Sequence, residues 1–178
     1  MSPGSWETHP DLRKLRRETD REFREEAAAE EADATQLLLR SRTLANAAFE
    51  SMVRGDEVTL AAGGKEWGGR LVEAAGDLAV VDTGSHQVCI SLQALRWLRI
   101  DVRGRGDGRR SIGTVGSLRA QLGVYEMDAE RVEIVTADGG SVEGRVRAVG
   151  RDHVDLTGPT GLHWLVALNA VAAVVVRQ

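Results

Sequence analysis

The chain has 178 residues, a formal net charge of −4 and a pI near 5.6, and this length suits one ordinary domain or two small ones. The acidic balance argues against a protein that holds nucleic acid through bulk positive charge. The single cysteine, Cys89, excludes an internal disulfide. With a polar, charged N-terminus and no apolar run of about 20 residues, the sequence predicts a cytoplasmic protein without a membrane span.

Residues 1–34 are predicted to form a charged N-terminal helical arm. After a short start that contains Trp6, the segment 11–31 is rich in Ala, Glu and Arg, and opposite charges recur four residues apart. Leu12, Leu15 and Phe23 give this helix a thin apolar stripe that fades after Phe23. Two interpretations stay open: a solvated helix, or a protein-binding arm that docks through Trp6 and the stripe.

Residues 35–102 are predicted to fold as a helix followed by a five-stranded barrel. Asp33 resembles a helix cap, and Gly55 ends the helix. The helix carries apolar residues on one side, among them Leu37, Leu38, Leu44, Ala48, Met52 and Val53. Alternating apolar residues and glycine turns then predict five short strands within 56–100. Because a flat sheet of such strands leaves exposed edges, we expect it to close into a barrel.

Residues 103–113 show the sharpest change in composition. Arg103, Arg105, Arg109 and Arg110 alternate with glycines, and only two aspartates accompany them. This composition is typical of a flexible linker between domains. Two interpretations stay open here as well: a solvated linker, or a mobile loop that contacts the phosphates of a nucleic acid without reading its sequence.

Residues 114–178 repeat the plan of residues 35–102. Apolar residues at helical spacing predict a helix within 114–126, and five strands are predicted to follow it. Seven positions of the second set of strands match seven positions of the first, in the same order. The second-set residues are Val132, Ile134, Gly140, Gly144, Val146, Val166 and Leu168. The first-set residues that they match are Val58, Leu60, Gly64, Gly69, Leu71, Ile90 and Leu92. Duplication of one helix-plus-barrel unit is the simplest interpretation.

The repeated unit resembles the Sm-like (LSm) fold, in which a helix precedes a five-stranded barrel. The residues that carry the resemblance are Gly64, Gly69 and Leu71, Gly140, Gly144 and Val146, and the fourth-strand segments Ile90-Ser91-Leu92 and Val166-Ala167-Leu168. The whole chain also resembles a group of actinobacterial two-barrel proteins for which no activity is established. The resemblance implies a mainly β protein with N-terminal helices and tandem Sm-like barrels.

The departures from the family pattern concern its RNA-binding residues. Sm proteins that bind uridine-rich RNA carry an Asp and then an Asn after the second strand, and a basic residue followed by Gly near the fifth. Here the matching loops are 74–77 and 149–152, which offer no Asn, and the turns 93–95 and 169–171 contain no basic residue. The family's base pocket is therefore not carried over. The two barrels of one chain could also pair through their edge strands.

The sequence shows no catalytic constellation. Its barrel histidines, His86, His153 and His163, do not cluster with cysteines, and the serines have no nearby His–Asp pattern. Trp67, Trp97 and Trp164 are predicted to pack in or at the ends of the barrels. We therefore expect no cofactor, metal or catalytic site.

The expected function is that of a non-catalytic adaptor. It would dock on a protein or ribonucleoprotein partner through the N-terminal helix and the arginine linker. A direct RNA-binding protein of weak sequence specificity is the alternative, and an enzyme whose acidic or histidine cluster forms only on folding is the second. Assembly into a homo-oligomer is left open.

Overall fold

The computed structural model describes residues 10–104 and 116–176, and the chain divides into two units, Met1–Arg42 and Thr43–Gln178. In the first unit, one helix, α1, runs from Pro10 to Ser41. The expected cap at Asp33 is wrong, because this helix continues through Asp33 to Ser41 without a break. No Gly or Pro interrupts the chain between residues 11 and 41, so nothing in the backbone ends the helix earlier.

The second unit begins with a short helix, α2, that spans Leu44–Arg54. Thr43 caps its start, because the Thr43 hydroxyl accepts a hydrogen bond of 3.1 Å from the Asn46 amide. Gly55 ends it in the left-handed conformation. Ala48 and Met52 are buried against the sheet. Leu37 and Leu38, expected on the same packed face, instead belong to α1 and are exposed.

The first half of the second unit continues with five strands, which lie where the alternating pattern predicts them. They are β1 (Glu57–Ala62), β2 (Lys65–Ala75), β3 (Leu78–Asp82), β4 (Gln87–Ser91) and β5 (Leu95–Val102). The second half repeats this order after helix α3 (Leu118–Met127). Its strands are β6 (Arg131–Thr136), β7 (Ser141–Val149), β8 (His153–Thr157), β9 (His163–Ala167) and β10 (Val171–Val176). A single 3₁₀ turn, Leu168–Ala170, joins β9 to β10.

The prediction of two closed barrels is wrong. All ten strands form one open antiparallel sheet in the order β5-β1-β2-β3-β4-β10-β6-β7-β8-β9. The two halves meet where β4 pairs with β10, and we call this pairing the central joint. There Val88, Cys89 and Ile90 lie opposite Val175, Val174 and Ala173. Pairing with β10 supplies hydrogen-bond partners for the backbone groups at the outer edge of β4. The need to pair such an exposed edge was the reason for predicting closed barrels.

The central joint also explains where the core lies. Strands β3, β4, β6 and β10 are buried along nearly their whole length, so both faces of the sheet are covered at its centre. One apolar cluster combines α2 and the first half with Val135, Ala172 and Ala173 of the second. The other combines α3 and the second half with Leu78, Val80 and Cys89 of the first. Each half therefore completes the core of the other.

The two halves repeat each other in their hydrogen bonds as well as in their strand order. Three main-chain hydrogen bonds of the first half have equivalents in the second. The first-half bonds are Leu71 N to Asp56 O, Leu92 N to Asp77 O and Thr83 N to His86 O. Their second-half equivalents are, in the same order, Val146 N to Glu130 O, Leu168 N to Asp152 O and Gly158 N to Leu162 O. Gly69 and Gly144 also correspond, because a Cβ at either would lie within 3 Å of a carbonyl oxygen on the next strand. This equivalence lets a residue in one half be assigned a counterpart in the other.

Within the part of the chain that the structure describes, no helix combines the length and the apolar composition that crossing a membrane requires. The longest described helix, α1, is strongly charged over its first two thirds.

Candidate interaction surfaces

Helix α1 contains three of the four residues predicted to bind a protein. Phe23 is 69% exposed on the helix. Leu12 and Leu15 lie within Pro10–Ser41, but their side chains are outside the described part of the structure, as is Trp6 as a whole. The described position of Phe23 therefore leaves an apolar ring available for contact.

A second apolar group on α1 was not predicted as a binding site. Leu37, Leu38 and Leu39 are 59% to 72% exposed near the end of the helix. Successive helical residues are about 100° apart around the axis, so three consecutive leucines cannot all face one packed side. The Leu-Leu-Leu run itself was thus the signal that at least one of these side chains would stay outside a core.

The exposed leucines follow an acidic stretch of the same helix. Glu30, Glu31 and Asp33 are exposed, and no charged residue lies between Asp33 and Arg40. The end of α1 therefore presents an apolar segment, here called the leucine segment (residues 37–39), about one turn after a stretch of negative charge.

Arg103 is the one predicted phosphate-contacting residue that the structure describes, and its side chain is exposed directly after β5. Arg105, Arg109 and Arg110 lie outside the described residues. The backbone beside Arg103 is anchored, because the Gly104 amide donates a hydrogen bond of 2.9 Å to Asp56 Oδ1. A side chain at Gly104 would place its Cβ 2.0 Å from the Arg54 carbonyl oxygen, so only glycine fits there.

Asp56 is the centre of a buried polar network. It is fully buried, and Arg54 Nη2 donates to its Oδ2 at 2.7 Å and to Ser51 Oγ at 3.2 Å. Burial alone would raise the pKa of Asp56, but hydrogen bonds from Arg54, the Gly104 amide and Ser51 outweigh it, and the pKa lies below its usual range. The same hydrogen bond raises the pKa of Arg54. The network ties α2 to the end of β5.

The sheet ends on both sides in strands that expose large apolar residues. At one end, β9 exposes Trp164 and Leu165; at the other, β5 exposes Trp97 and Val102. The three tryptophans were expected to pack in or at the ends of barrels; Trp67 is buried in the sheet core, whereas Trp97 and Trp164 are exposed on the strands that end the sheet. The sequence shows that these residues are apolar, but whether their side chains are exposed depends on which strands lie at the two ends of the sheet.

A polar cleft of about 510 Å³ opens beside the turn between β3 and β4. His86 lines it, with Gln121 and Tyr125 of α3 on the other wall. His86 Nδ1 lies 2.8 Å from Ser85 Oγ, and Thr83 Oγ1 donates to the His86 carbonyl at 2.9 Å. These bonds hold the turn in place. Across residues 10–104 and 116–176, no three or more His, Cys, Asp or Glu side chains form a group that could hold a metal ion.

Cys89 occupies the central joint and is buried. Its Sγ lies 3.1 Å from the Tyr125 hydroxyl oxygen. Burial raises the pKa of the Cys89 thiol to about 11 and also raises the pKa of Tyr125. A thiol with this pKa is almost entirely protonated at neutral pH, so Cys89 acts as a small core residue.

The chain was compared with known proteins at the level of its sequence. No protein-family model matches it, and a search of the curated proteins finds no relative.

Proposed function

We propose that the chain is a non-catalytic interaction protein that docks on a partner protein through α1. The observation that carries the proposal is the exposure of Leu37, Leu38 and Leu39. Three exposed leucines at consecutive helical positions present apolar side chains around much of this turn of the helix, and clustered exposed apolar side chains are typical of protein-binding sites. The ten-stranded sheet follows in the chain as the folded body that the helix attaches to its partner.

The pattern of α1 indicates the chemistry of that partner. The leucine segment covers about 200° of the helix circumference, because its three side chains are spaced by about 100° each. A groove that encloses the helix buries such a surface better than a flat face does. The exposed Glu30, Glu31 and Asp33 lie one to two turns before the leucines. We therefore expect an apolar groove with a basic rim.

The proposal predicts that loss of the leucines removes partner capture. The variant Leu37→Ala/Leu38→Ala/Leu39→Ala keeps α1 helical, because Ala is the strongest helix former. We expect its recovery of co-purifying proteins to fall at least about tenfold, the effect of losing ~1.4 kcal/mol of binding energy. The measurement is affinity purification of the full chain from cells, with quantitative mass spectrometry of the captured proteins.

The matched control changes three neighbouring polar residues of the same helix. The variant Thr35→Ala/Gln36→Ala/Arg40→Ala also introduces three alanines but leaves the leucine segment intact. It should retain the proteins captured by the unchanged chain. Equal recovery by the leucine variant and the control would refute docking through this segment.

RNA binding is the second candidate, and the exposed Arg103 at the start of the arginine linker, residues 103–113, favours it. A fluorescence-anisotropy titration with RNA of mixed sequence separates the two candidates. Contacts between arginines and phosphates should give binding at low salt that weakens steeply as salt rises. No binding at low salt would remove this candidate and leave docking through α1 unaffected.

A further inference from the structure

A row of three residues across the first half of the sheet balances its own charges. Glu57 of β1 lies opposite Arg70 of β2, and Arg70 lies opposite Asp82 of β3. Residues opposite each other on antiparallel strands have their side chains on the same face, and all three are exposed. One arginine therefore stands between two acids, and the row has a formal charge of −1.

The matching row of the second half carries the opposite charge. Arg131 of β6 lies opposite Arg145 of β7, and Arg145 lies opposite Thr157 of β8. The two rows are equivalent because Gly69 and Gly144, which precede the central arginines, correspond in the two halves. An arginine and a threonine thus replace the two acids of the first row, and the formal charge becomes +2.

The second row contains a pair that costs stability. Arg131 and Arg145 are like charges at directly opposed positions, which is unfavourable in a sheet. Glu143 Oε1 lies 3.0 Å from Arg131 Nε, but both side chains are exposed, and an exposed ion pair offsets little. Arg145 forms no ion pair with any described residue. Locally unfavourable arrangements of this kind are expected at functional positions.

The two arginines line a small cleft together with Thr157. The cleft has a volume of about 220 Å³, and its lining is Arg131, Gly144, Arg145, Thr157, Gly158 and Pro159. Among the described residues, no acidic side chain lines it. The Thr157 side chain is half-buried, and its hydroxyl forms no hydrogen bond with another described residue. Two guanidinium groups and a hydroxyl are donors that suit an oxyanion.

We propose that this cleft binds one phosphate monoester group. Such a group has a charge close to −2 at neutral pH and three strong acceptor oxygens, so two guanidinium groups match its charge. The planar fork of Arg also pairs with two phosphate oxygens at once, which a Lys cannot do. The inference goes beyond docking through α1, because it concerns different residues in the other unit of the chain.

The surroundings of the cleft favour a single group over a nucleic acid backbone. A nucleic acid carries one charge at each phosphate along an extended chain, and its binding needs a series of basic residues. Two residues before Arg145 and Thr157 on their strands, and therefore on the same face, are the acids Glu143 and Asp155. The nearby Arg147 is paired with Asp155 at 3.2 Å.

Titration of the isotope-labelled full chain with sodium phosphate tests the inference, followed by amide ¹H–¹⁵N NMR spectra. Signals from residues that line the cleft should shift and saturate with phosphate, but not with sodium chloride at the same ionic strength. A short peptide with one phosphoserine, compared with its unphosphorylated form, is the second probe. Tighter binding of the phosphopeptide than of inorganic phosphate would support a phosphorylated protein as the source, and equal binding a small phosphate. No saturable shift with either probe would overturn the inference.

Two variants locate the binding in the second row. Arg145→Gln removes one charged donor, and Thr157→Asp restores the acid that the first half carries as Asp82. Each should raise the Kd for the probe that binds by at least about tenfold, the loss expected for one charge-assisted hydrogen bond. Both should keep the melting temperature close to that of the unchanged protein, because Arg145 is exposed and the equivalent position accepts Asp in the first half.

The matched control is Arg70→Gln, the same substitution at the equivalent position of the first row. It should leave the Kd unchanged. Equal weakening by Arg70→Gln and Arg145→Gln would show that phosphate responds only to bulk charge, and would overturn the inference. So would binding of mixed-sequence RNA that depends on Arg145 when neither phosphate nor the phosphopeptide binds. The triple-alanine variant of the leucine segment should bind phosphate normally, so this test is independent of docking through α1.

Discussion

Replacement of Asp56 by Ala should lower the free energy of unfolding of the sheet unit by about 3 kcal/mol, the range found when one partner of a buried charged pair is removed. Asp56 is fully buried and accepts hydrogen bonds from Arg54 and from the Gly104 amide. The change leaves the Gly104 amide without its acceptor and frees the chain that leaves β5. Urea unfolding followed by tryptophan fluorescence measures the loss.

The pH dependence of this effect has a defined sign. The pKa of Asp56 in the folded chain lies below its usual range, so its charged form stabilises the fold at pH values above the unfolded pKa of about 4. This stabilisation is lost as the pH falls through the lower, folded pKa. The stability difference between the unchanged chain and Asp56→Asn should therefore shrink as the pH falls below about 4.

An exposed aspartate provides the comparison for Asp56. Asp101 also accepts hydrogen bonds, from Thr59 and Arg99, but it lies on the surface. Asp101→Ala should therefore cost less stability than Asp56→Ala. Equal losses for the two variants, or a difference between the unchanged chain and Asp56→Asn that stays constant with pH, would contradict the role assigned to the buried carboxylate.

Replacement of Gly63 by Ala should lower the free energy of unfolding by about 3 kcal/mol, and replacement of Gly64 by only about 1 kcal/mol. Both glycines form the turn between β1 and β2 with positive φ, 53° and 72°. The conformational cost of alanine is therefore similar at the two positions. Their surroundings differ. A Cβ at Gly63 would lie 2.6 Å from the Thr136 carbonyl oxygen, whereas the nearest atom to a Cβ at Gly64 is 3.9 Å away.

The comparison of these two variants isolates packing between the halves, because Thr136 belongs to β6. The free energies of unfolding come from parallel urea titrations of Gly63→Ala and Gly64→Ala. Equal losses of unfolding free energy for the two variants would show that the turn between β1 and β2 does not pack closely against the second half of the sheet.

The local structure of the sheet could be predicted from the sequence. Alternation such as Val58, Leu60 and Ala62 marks β1, and the Ala75-Gly76-Asp77 turn separates β2 from β3. These signals act over a few residues, where side-chain period and turn preference decide the backbone. The matching of Gly69 with Gly144 likewise indicated the repeated plan that the strand order of the two halves displays.

The joining of the halves could not be predicted in the same way. Residues 88–90 are apolar whether β4 closes a barrel or meets β10, because either partner buries them. Only the relative position of strands some 85 residues apart distinguishes the two cases. The exposure of Trp164 and Trp97 depends on the same choice, because closed barrels would cover the strands that end the open sheet.

The end of α1 could not be predicted from the sequence for a different reason. Asp33 and Gln36 have the spacing of a helix cap, but Asp is also tolerated inside an exposed helix. With no Gly or Pro nearby, the helix continues to Ser41 and carries the leucines with it. The charged pattern predicted a helix correctly, but α1 ends only at Ser41, two residues before Thr43 caps α2.

A disulfide across the central joint tests the continuous sheet most directly. Cys89 lies opposite Val174, and both side chains belong to the same apolar cluster. Paired residues of antiparallel strands have Cα atoms about 4.5–5.5 Å apart, within the range of about 4.4–6.8 Å that a disulfide spans. Val175→Cys is the matched control, because Val175 faces the other cluster. Both variants are refolded in oxidised glutathione and analysed by non-reducing electrophoresis and mass spectrometry.

If β4 and β10 join the halves, Val174→Cys will form a bond to Cys89 within one chain, and Val175→Cys will remain largely reduced. If Val174→Cys shows no bond, bonds only between chains, or bonds no more often than Val175→Cys, the two halves do not form one sheet.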